Sequence, residues 1–295
     1  MLTYVRLVIV GERAPVAPAE VTVSVSDLDR SVDYWENAIG LGVNERSNGT
    51  ARMGVPGRDL VVLEEQPGAR PGRGVNTGLF HLALLVPDRE SLADWLAHAA
   101  SSGVQLSGAS DHFVSEALYL RDPDGHGIEI YRDRPRETWT HNADGSLNIG
   151  TVPLDLHDLM SARDASGSWD RMPGGTVMGH VHLQVAQLVE ARRFYTDLLG
   201  LDLMIEIPGQ ASFLSSGGYH HHLGMNVWAG VGAPPPPPDQ AALKRAALEV
   251  ADADELDRIE ARLSDAGAEP VRDGDRVLVA DPSRNPLELR PAKPQ

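Results

Sequence analysis

The chain repeats itself with an offset of 160 residues. The segment VTVSVSDLDRSVDYWENAIGLGV, which begins at Val21, matches VHLQVAQLVEARRFYTDLLGLDL, which begins at Val181. A second pair, RDPDGHGIEIYR (121–132) and ADPSRNPLELRP (280–291), lies towards the end of each matching region. Internal similarity of this kind indicates copies of one supersecondary unit. The sequence therefore predicts two homologous halves, each made of two smaller units.

Each smaller unit shows the same order of elements. An alternating run predicts a first strand, at residues 21–25, 79–86, 181–185 and 246–250. Helices are then predicted at residues 28–38, 89–101, 188–198 and 254–266. Each helix is followed by a glycine suited to a helix C-terminus, namely Gly40, Gly103, Gly200 and Gly267. Further β-rich runs follow, such as 59–63, 116–120 and 127–131. The pattern predicts an α+β fold of four βαβββ modules.

A polar, glycine-containing segment separates the two halves. We expect a first domain at residues 1–133, a connector at 134–177 and a second domain at 178–295. The five prolines at 234–238 predict a stiff spacer between the third and fourth modules. Residues 1–15 predict a strand or arm and not a signal peptide, because no small-residue cleavage site follows their short apolar stretch.

Composition limits the class of partner. The formal net charge is −16, which disfavours nucleic acid and anionic membrane surfaces, since binding to both depends on basic residues. The chain has no cysteine, which excludes a disulfide scaffold, a thiolate metal site and a cysteine nucleophile. No apolar run approaches the roughly 20 residues that a membrane-spanning helix needs. We therefore expect a cytoplasmic protein that acts on a small molecule, and a homo-oligomer is compatible with the sequence.

The motifs that close and open the modules resemble a known family. DPDGHGIE closes the second module, and GHVHLQV…FYTDLLGL opens the third. Together with the βαβββ pattern, they resemble the vicinal oxygen chelate superfamily (glyoxalase, bleomycin resistance and extradiol dioxygenase proteins) over nearly the whole chain outside the connector. In that family two modules pair into a cup around a divalent metal. The resemblance therefore implies two cup-shaped half-barrels.

The same resemblance implies a candidate ligand position in the first strand of each module. It implies a further one in the closing strand of the second and fourth modules. The two central modules offer His81, Glu129 and His180. Two histidines and a carboxylate form the facial triad of non-haem Fe(II) oxygenases, with three positions left open. We therefore expect the second module to pair with the third. The outer modules, which would pair as a metal-free cup, offer Glu20, Arg245 or Ala246, and Glu288.

Two points about the metal stay open in the sequence. His182 lies two residues after His180 and points to the same face of a strand, so either could be the ligand. The family's spacing to Phe194 favours His180. Fe(II) is the metal that the resemblance implies, with Mn(II) or another divalent ion as the alternative.

The resemblance also implies three catalytic residues. The histidines of GGYHHHLGMNVW are predicted on one strand, with His221 as the acid–base residue and its two neighbours on the other face. Tyr119 lies ten residues before Glu129, where extradiol enzymes have an active-site tyrosine. His112 lies near the position of a family histidine that contacts the substrate hydroxyl.

Taken together, the chain resembles two-domain enzymes of the catechol 2,3-dioxygenase type, with the metal centre displaced to the two central modules. The expected function is extradiol cleavage of an aromatic diol by Fe(II) and O₂. Two alternatives remain. One is a glyoxalase-like divalent-metal lyase or isomerase, which usually needs a further carboxylate, here Glu20 or Glu116. The other is a small-molecule-binding protein without catalysis, which the complete triad disfavours.

Overall fold

Four βαβββ modules account for most of the secondary structure. A computed structural model describes residues 16–164 and 169–292, so the N-terminal strand or arm predicted at 1–15 lies outside the described residues. The strands of the first two modules are β1 Val16–Val25, β2 Gly42–Ser47, β3 Thr50–Val55, β4 Arg58–Glu65, β5 Gly78–Leu85, β6 Gly108–Asp111, β7 Ser115–Arg121 and β8 Gly127–Asp133. The connector contributes β9 Val152–Pro153. The last two modules contribute β10 Val177–Gln184, β11 Asp202–Ile207, β12 Ala211–Ser215, β13 Leu223–Asn226, β14 Leu243–Val250, β15 Val271–Asp273, β16 Arg276–Ala280 and β17 Pro286–Pro291.

One helix lies between the first and second strands of every module. The helices of the modules are α1 Leu28–Tyr34, α2 Arg89–Ser102, α4 Leu188–Arg193 and α5 Ala253–Asp265, and the connector adds α3 Leu156–Met160. The helices α1 and α4 each continue into a π-helical turn, Trp35–Ile39 and Phe194–Leu198. Asp27, Asp88 and Asp252 accept a hydrogen bond from a backbone N–H in the first turn of α1, α2 and α5. Such side chains fix where a helix begins.

The four glycines predicted after the helices have left-handed backbone. Their φ angles are 90° at Gly40, 72° at Gly103, 81° at Gly200 and 75° at Gly267. Glycine adopts this region without the steric penalty of a side chain, so it lets the chain leave each helix sharply. None of the helices in the described residues is long and apolar enough to span a bilayer.

The modules pair as the sequence predicted. β5 of the second module pairs antiparallel with β10 of the third, which gives a nine-stranded sheet in the order β11-β12-β13-β10-β5-β8-β7-β6-β9. β1 pairs antiparallel with β14, which gives an eight-stranded sheet in the order β15-β16-β17-β14-β1-β4-β3-β2. The α+β class and the two half-barrels are therefore confirmed, and each sheet draws strands from both halves of the chain.

The central strands are the most deeply buried parts of the sheets. The last six residues of β1 and the last seven of β10 are buried. One hydrophobic cluster includes residues of both sheets, such as Val21, Leu82 and Val181. Central strands covered on both faces read as continuous apolar runs, and polar side chains there need a specific partner. This makes the buried histidines and glutamate of the central strands conspicuous.

Candidate metal centre and active site

The three predicted metal ligands surround Ala83 on neighbouring strands. The strand register places His180 of β10 on one side of Ala83 and Glu129 of β8 on the other. His81 precedes Ala83 by two residues on β5 and therefore points to the same face. Because the alanine between them is small and buried, the three longer side chains converge above it.

The ligand atoms of this cluster lie within hydrogen-bond distance of one another. Nε2 of His180 lies 3.0 Å from Oε2 of Glu129, Nε2 of His81 lies 3.1 Å from the same oxygen, and the two nitrogens are 3.3 Å apart. Adjacent ligand atoms of an octahedral ion with bonds of about 2.1 Å are about 3.0 Å apart, so these atoms fit one octahedral face. Within the part of the chain that the structure describes, His81, Glu129 and His180 form the cluster of histidine and acidic side chains whose spacing could hold a metal ion.

The carboxylate of the cluster is held in its ionised form. Burial acts to raise the pKa of Glu129, but the charge and hydrogen bonds of His180 and His81 outweigh burial and hold that pKa well below its usual range. Metal ligands must be deprotonated, so this protonation state fits a divalent cation. The donor set and its spacing therefore fit the ion that the resemblance implies.

His182 lies beside the cluster in a different set of contacts. Its Nε2 accepts a hydrogen bond from Nδ2 of Asn226 at 2.9 Å. Its ring packs against Gly224, where an added Cβ would come within 2.8 Å of the ring. Burial lowers the pKa of His182 well below its usual range, so the ring is neutral. The structure thus brings His180, and not His182, to Glu129.

The outer cup has the same register with different side chains. Glu20 and Glu288 flank Ala247 across β1, β14 and β17, as His180 and Glu129 flank the alanine of the inner cup. Arg245 precedes that alanine by two residues, as His81 precedes Ala83. Arg245, and not Ala246, is therefore the counterpart of His81. Nε of Arg245 lies 3.2 Å from Oε2 of Glu288. A guanidinium group therefore lies where the inner cup presents an imidazole.

The three consecutive histidines are not on a strand, contrary to the sequence-based prediction. They belong to the loop between β12 and β13, immediately before Leu223. Because the loop turns there, strand alternation does not separate the side chains, and Nδ1 of His220 lies 2.7 Å from Nδ1 of His221. The ring of His221 also lies 4.1 Å from the ring of His180, centroid to centroid. The predicted acid–base residue is therefore next to a candidate ligand.

Asp133 is part of this arrangement, and the sequence analysis missed it. Its Oδ1 lies 2.9 Å from Nε2 of His220, a side chain that is 1% exposed. A carboxylate only accepts, so Nε2 of His220 donates this hydrogen bond, and a single proton is shared between the two Nδ1 atoms. The available signal was strand periodicity, since Asp133 lies four residues after Glu129 on the same face of β8.

Tyr119 and His112 lie on the other side of the cluster. Tyr119 is paired directly with Glu129 across β7 and β8. Its hydroxyl lies 2.8 Å from Nε2 of His112, whose Nδ1 donates to the carbonyl oxygen of Gly150 at 2.8 Å. Burial, and then the charge of Glu129, raise the pKa of Tyr119 well above its usual value, so the phenol stays neutral. The connector thus supplies Gly150 to the site, a role that its polar composition did not indicate.

These groups line one cavity of about 580 Å³. His81, Glu129 and His180 are among its lining residues, with His112, Tyr119 and His221. The remaining wall is largely apolar, and its aromatic and aliphatic members include Phe80, Ile205, Ile207, Phe213 and Trp228. A concave site with few convergent polar groups is the usual form of a small-molecule site. All six residues singled out from the sequence therefore meet in one place.

The fold and the site define the class of protein. A sequence model of the Glyoxalase/Bleomycin resistance protein/Dioxygenase superfamily matches residues 17–130 and 177–289. The chain belongs to this superfamily. The resemblance read from the motifs of the sequence is thereby confirmed.

Within that class, the chain is 40% identical to the catechol-2,3-dioxygenase of Bacillus subtilis (strain 168) over 263 residues, covering 88% of this chain and 91% of that protein. A solved structure of a putative dioxygenase from Bacillus subtilis subsp. subtilis str. 168 has a TM-score of 0.64 and 14% identity, covering 96% of this chain and 87% of that one. Glyoxalase I from Zea mays has a TM-score of 0.58 and 16% identity, covering 94% and 92%. At such identities the two structures establish the fold alone. The predicted enzyme class, a ring-cleaving dioxygenase, is confirmed by the 40% identical relative.

Proposed function

We propose that the chain is a non-haem extradiol dioxygenase that cleaves a catechol-type ring with O₂, using Fe(II) held by His81, Glu129 and His180. The observation that carries this proposal is the convergence of their three ligand atoms, 3.0–3.3 Å apart, at a cavity that also presents Tyr119 and His221. The relative named as a catechol-2,3-dioxygenase supports the choice of substrate. When bound, Fe(II) supplies Lewis acidity and one-electron redox chemistry at the three open positions.

Tyr119 is suited to receive a hydroxyl of the diol. Because Nδ1 of His112 donates to Gly150, its Nε2 is a lone pair that accepts the hydrogen of the Tyr119 hydroxyl. The phenolic oxygen is then free to accept a hydrogen bond from the substrate. Burial, together with the charge of Glu129 on the neighbouring strand, raises the pKa of Tyr119 and keeps the phenol protonated. Tyr119 therefore orients the ring, and His112 orients Tyr119.

His221 is suited to hold and return a proton at Nε2. Burial, with the charges of His180 and His220, lowers the pKa of His221 well below its usual range, so the ring is neutral and able to act as a base. Its Nδ1 is engaged with His220, which leaves Nε2 as the nitrogen available to the cavity. A positioned acid–base residue typically contributes about 10²- to 10⁴-fold in rate.

The glyoxalase-like alternative lacks its additional carboxylate at the cavity. Glu116 is 2% exposed and forms ion pairs with Arg89, Arg132 and Arg134. It precedes Tyr119 by three residues on β7, so the two side chains lie on opposite faces of the sheet. Glu20 lies in the outer cup, next to Arg290. Neither is among the residues that line the cavity. This distribution of charge favours ring cleavage over lyase or isomerase chemistry.

The test is to load the protein anaerobically with Fe(II), add catechol and admit O₂. We expect a yellow ring-fission product and uptake of one O₂ per catechol, and no product from the His81→Ala variant. Parallel loading with Mn(II) decides which divalent ion supports the reaction. Absence of product across a panel of catechols, together with turnover of a thiol adduct, would contradict the proposal and favour the lyase. The cytoplasmic location and a homo-oligomeric state stay predictions.

A further inference from the structure

One wall of the cavity is an aromatic box that the proposed chemistry does not use. The rings of Phe80 and Trp228 lie 5.1 Å apart in an edge-to-face arrangement. The ring of His182 lies 5.1 Å from Phe80, 5.6 Å from Trp228 and 5.5 Å from Phe213. Contacts of this length are favourable ring packing, so the four side chains form one surface. Since His182 also contacts His81, at 4.9 Å between ring centroids, the box adjoins the candidate metal centre.

An aliphatic rim extends the box towards solvent. Ile205 and Ile207 of β11 line the cavity, and Ile207 is 39% exposed. Trp228 is 49% exposed at the same mouth. Large apolar side chains that remain exposed around a site usually contact a ligand. The apolar wall therefore runs from the metal centre to the entrance.

The cavity is larger than an unsubstituted catechol requires. Its volume is about 580 Å³. A cavity of roughly 150 Å³ suffices for benzene. Two hydroxyl groups add little to that requirement, so most of the cavity is left for a substituent on the ring.

The charge of the lining selects the kind of substituent. Among the described residues that line the cavity, Arg121 alone has a permanent positive charge, and its Nη1 donates to the carbonyl oxygen of Gly125. A carboxylate lying against Phe80, Phe213 and Trp228 would be desolvated with no cationic side chain in that part of the wall, which is strongly unfavourable. An alkyl or aryl group would instead replace water along the apolar wall.

We propose that the preferred substrate is a catechol with an uncharged alkyl or aryl substituent, which lies against Phe80, Phe213 and Trp228. This inference rests on the proposed function and narrows it to one class of diol. Burial of one methylene group is worth about fourfold in affinity, so each carbon added to the substituent should strengthen binding until the rim is covered.

The experiment compares catechol, 4-methylcatechol, 4-ethylcatechol, 4-propylcatechol and 3,4-dihydroxybenzoate on the Fe(II)-loaded protein. Calorimetry without O₂ gives Kd, and turnover with O₂ gives kcat/KM. We expect Kd to fall about fourfold per methylene, with an increasingly negative heat capacity change, and the carboxylated diol to bind about tenfold or more weakly than catechol. Calorimetry does not depend on turnover, so binding preference is measured separately from chemistry.

Two truncations at the rim locate the substituent. Trp228→Ala and Ile207→Ala should each flatten the dependence of Kd on chain length. Leu203→Ala is the matched control, because this residue of β11 is 43% exposed but does not line the cavity, and it should leave the dependence intact. This inference alone is overturned if the protein cleaves catechol but Kd does not change with the length of the substituent. The same holds if the carboxylated diol has the lowest Kd. Failure to bind or cleave every diol overturns the proposed function and this inference together.

Discussion

Nδ1 of His220 lies 2.7 Å from Nδ1 of His221, and Nε2 of His220 is bound to Oδ1 of Asp133 at 2.9 Å. This chain of contacts connects a carboxylate at the end of β8 to the residue proposed as acid–base catalyst. A hydrogen bond at one ring nitrogen of a histidine fixes the orientation of the ring. It also determines whether the other nitrogen carries a proton. The relationship therefore makes Asp133 and His220 positioning residues for His221.

The first prediction is that loss of this positioning lowers kcat. Asp133→Asn offers His220 an amide in place of an obligate acceptor, and His220→Gln removes the contact between the two rings. For each variant we expect kcat to fall roughly tenfold to a hundredfold, the lower part of the range for acid–base catalysis, with little change in KM. Steady-state kinetics over a range of pH measures both constants, and the pH profile of kcat should change shape.

A residue with a merely structural role would behave differently in that experiment. His157→Gln alters an exposed histidine of α3 and should leave kcat, KM and the pH profile unchanged. If Asp133→Asn raises KM in proportion to the fall in kcat/KM and leaves kcat alone, the positioning role is wrong. Equal melting temperatures of the variants exclude loss of fold as the cause.

The second prediction concerns the metal centre. His81→Ala and His180→Ala should each reduce bound iron from about one ion per chain to near none, because two ligands no longer complete the facial triad. His182→Gln should keep its iron, since His182 is bonded to Asn226 and not to the cluster. Elemental analysis after anaerobic Fe(II) loading and desalting gives the stoichiometry. Iron lost from His182→Gln but kept by His180→Ala would reverse the assignment of the ligand.

The pairing of modules could be predicted from the sequence because it followed from residue types at matched positions. Either half taken alone offered an incomplete ligand set, whereas the central modules together offered two histidines and a carboxylate. The register confirms the equivalence, since Ala83 of the inner cup and Ala247 of the outer cup have the same neighbours on either side. The positions compared are those that the family resemblance implies, and strand periodicity and the spacing to helix-ending glycines locate them in this sequence.

The loop geometry and the cavity wall could not be predicted in this way. Strand alternation predicts His220 and His221 on opposite faces, but both residues belong to a loop, where side-chain direction depends on tertiary contacts. The contact of Gly150 with His112 joins the connector to the site across 38 positions, and no local pattern encodes it. The place of Trp228 at the rim depends on how β11 and the loop after β13 pack, which the motif that contains it does not encode.

The third prediction tests the outer cup as a structural element. Arg245→Met leaves the carboxylate of Glu288, which is 1% exposed, with one partner fewer. Arg290 still lies 3.3 Å from it, so the expected loss in the free energy of unfolding is about 1–3 kcal/mol and not complete unfolding. Urea denaturation measures the loss. Activity per bound metal should not change, because Arg245 is in the other sheet.

A double-mutant cycle separates the ion pair from its surroundings. The double variant Arg245→Met/Glu288→Gln should lose less free energy of unfolding than the two single variants together. The reason is that a neutral amide at position 288 is not left as an unpaired buried charge when the guanidinium is removed. Arg258→Met removes an exposed partner of Glu255 on α5 and should change stability little, as surface pairs do. Additive losses in the cycle would show that Arg245 and Glu288 do not interact.

The fourth prediction concerns stability at low pH and His222. Burial, together with the charges of His220, His180 and Arg136, lowers the pKa of His222 to about 3. In the unfolded chain a histidine has a pKa of about 6.5, so below that pH the unfolded state binds a proton that the folded state does not. Stability contributed by neutral His222 is thus fully present above pH 6.5 and is lost as the pH falls towards 3.

His222→Gln removes this titration and keeps a side chain that can accept from Ser215, the present partner of Nδ1 at 3.0 Å. Urea denaturation at pH 7, 6 and 5 should show the unmodified protein losing stability relative to the variant by up to about 1.4 kcal/mol per pH unit below 6.5. A difference between unmodified protein and His222→Gln that stays constant from pH 7 to pH 5 would contradict the prediction, because it would mean that His222 takes up its proton equally in the folded and unfolded states.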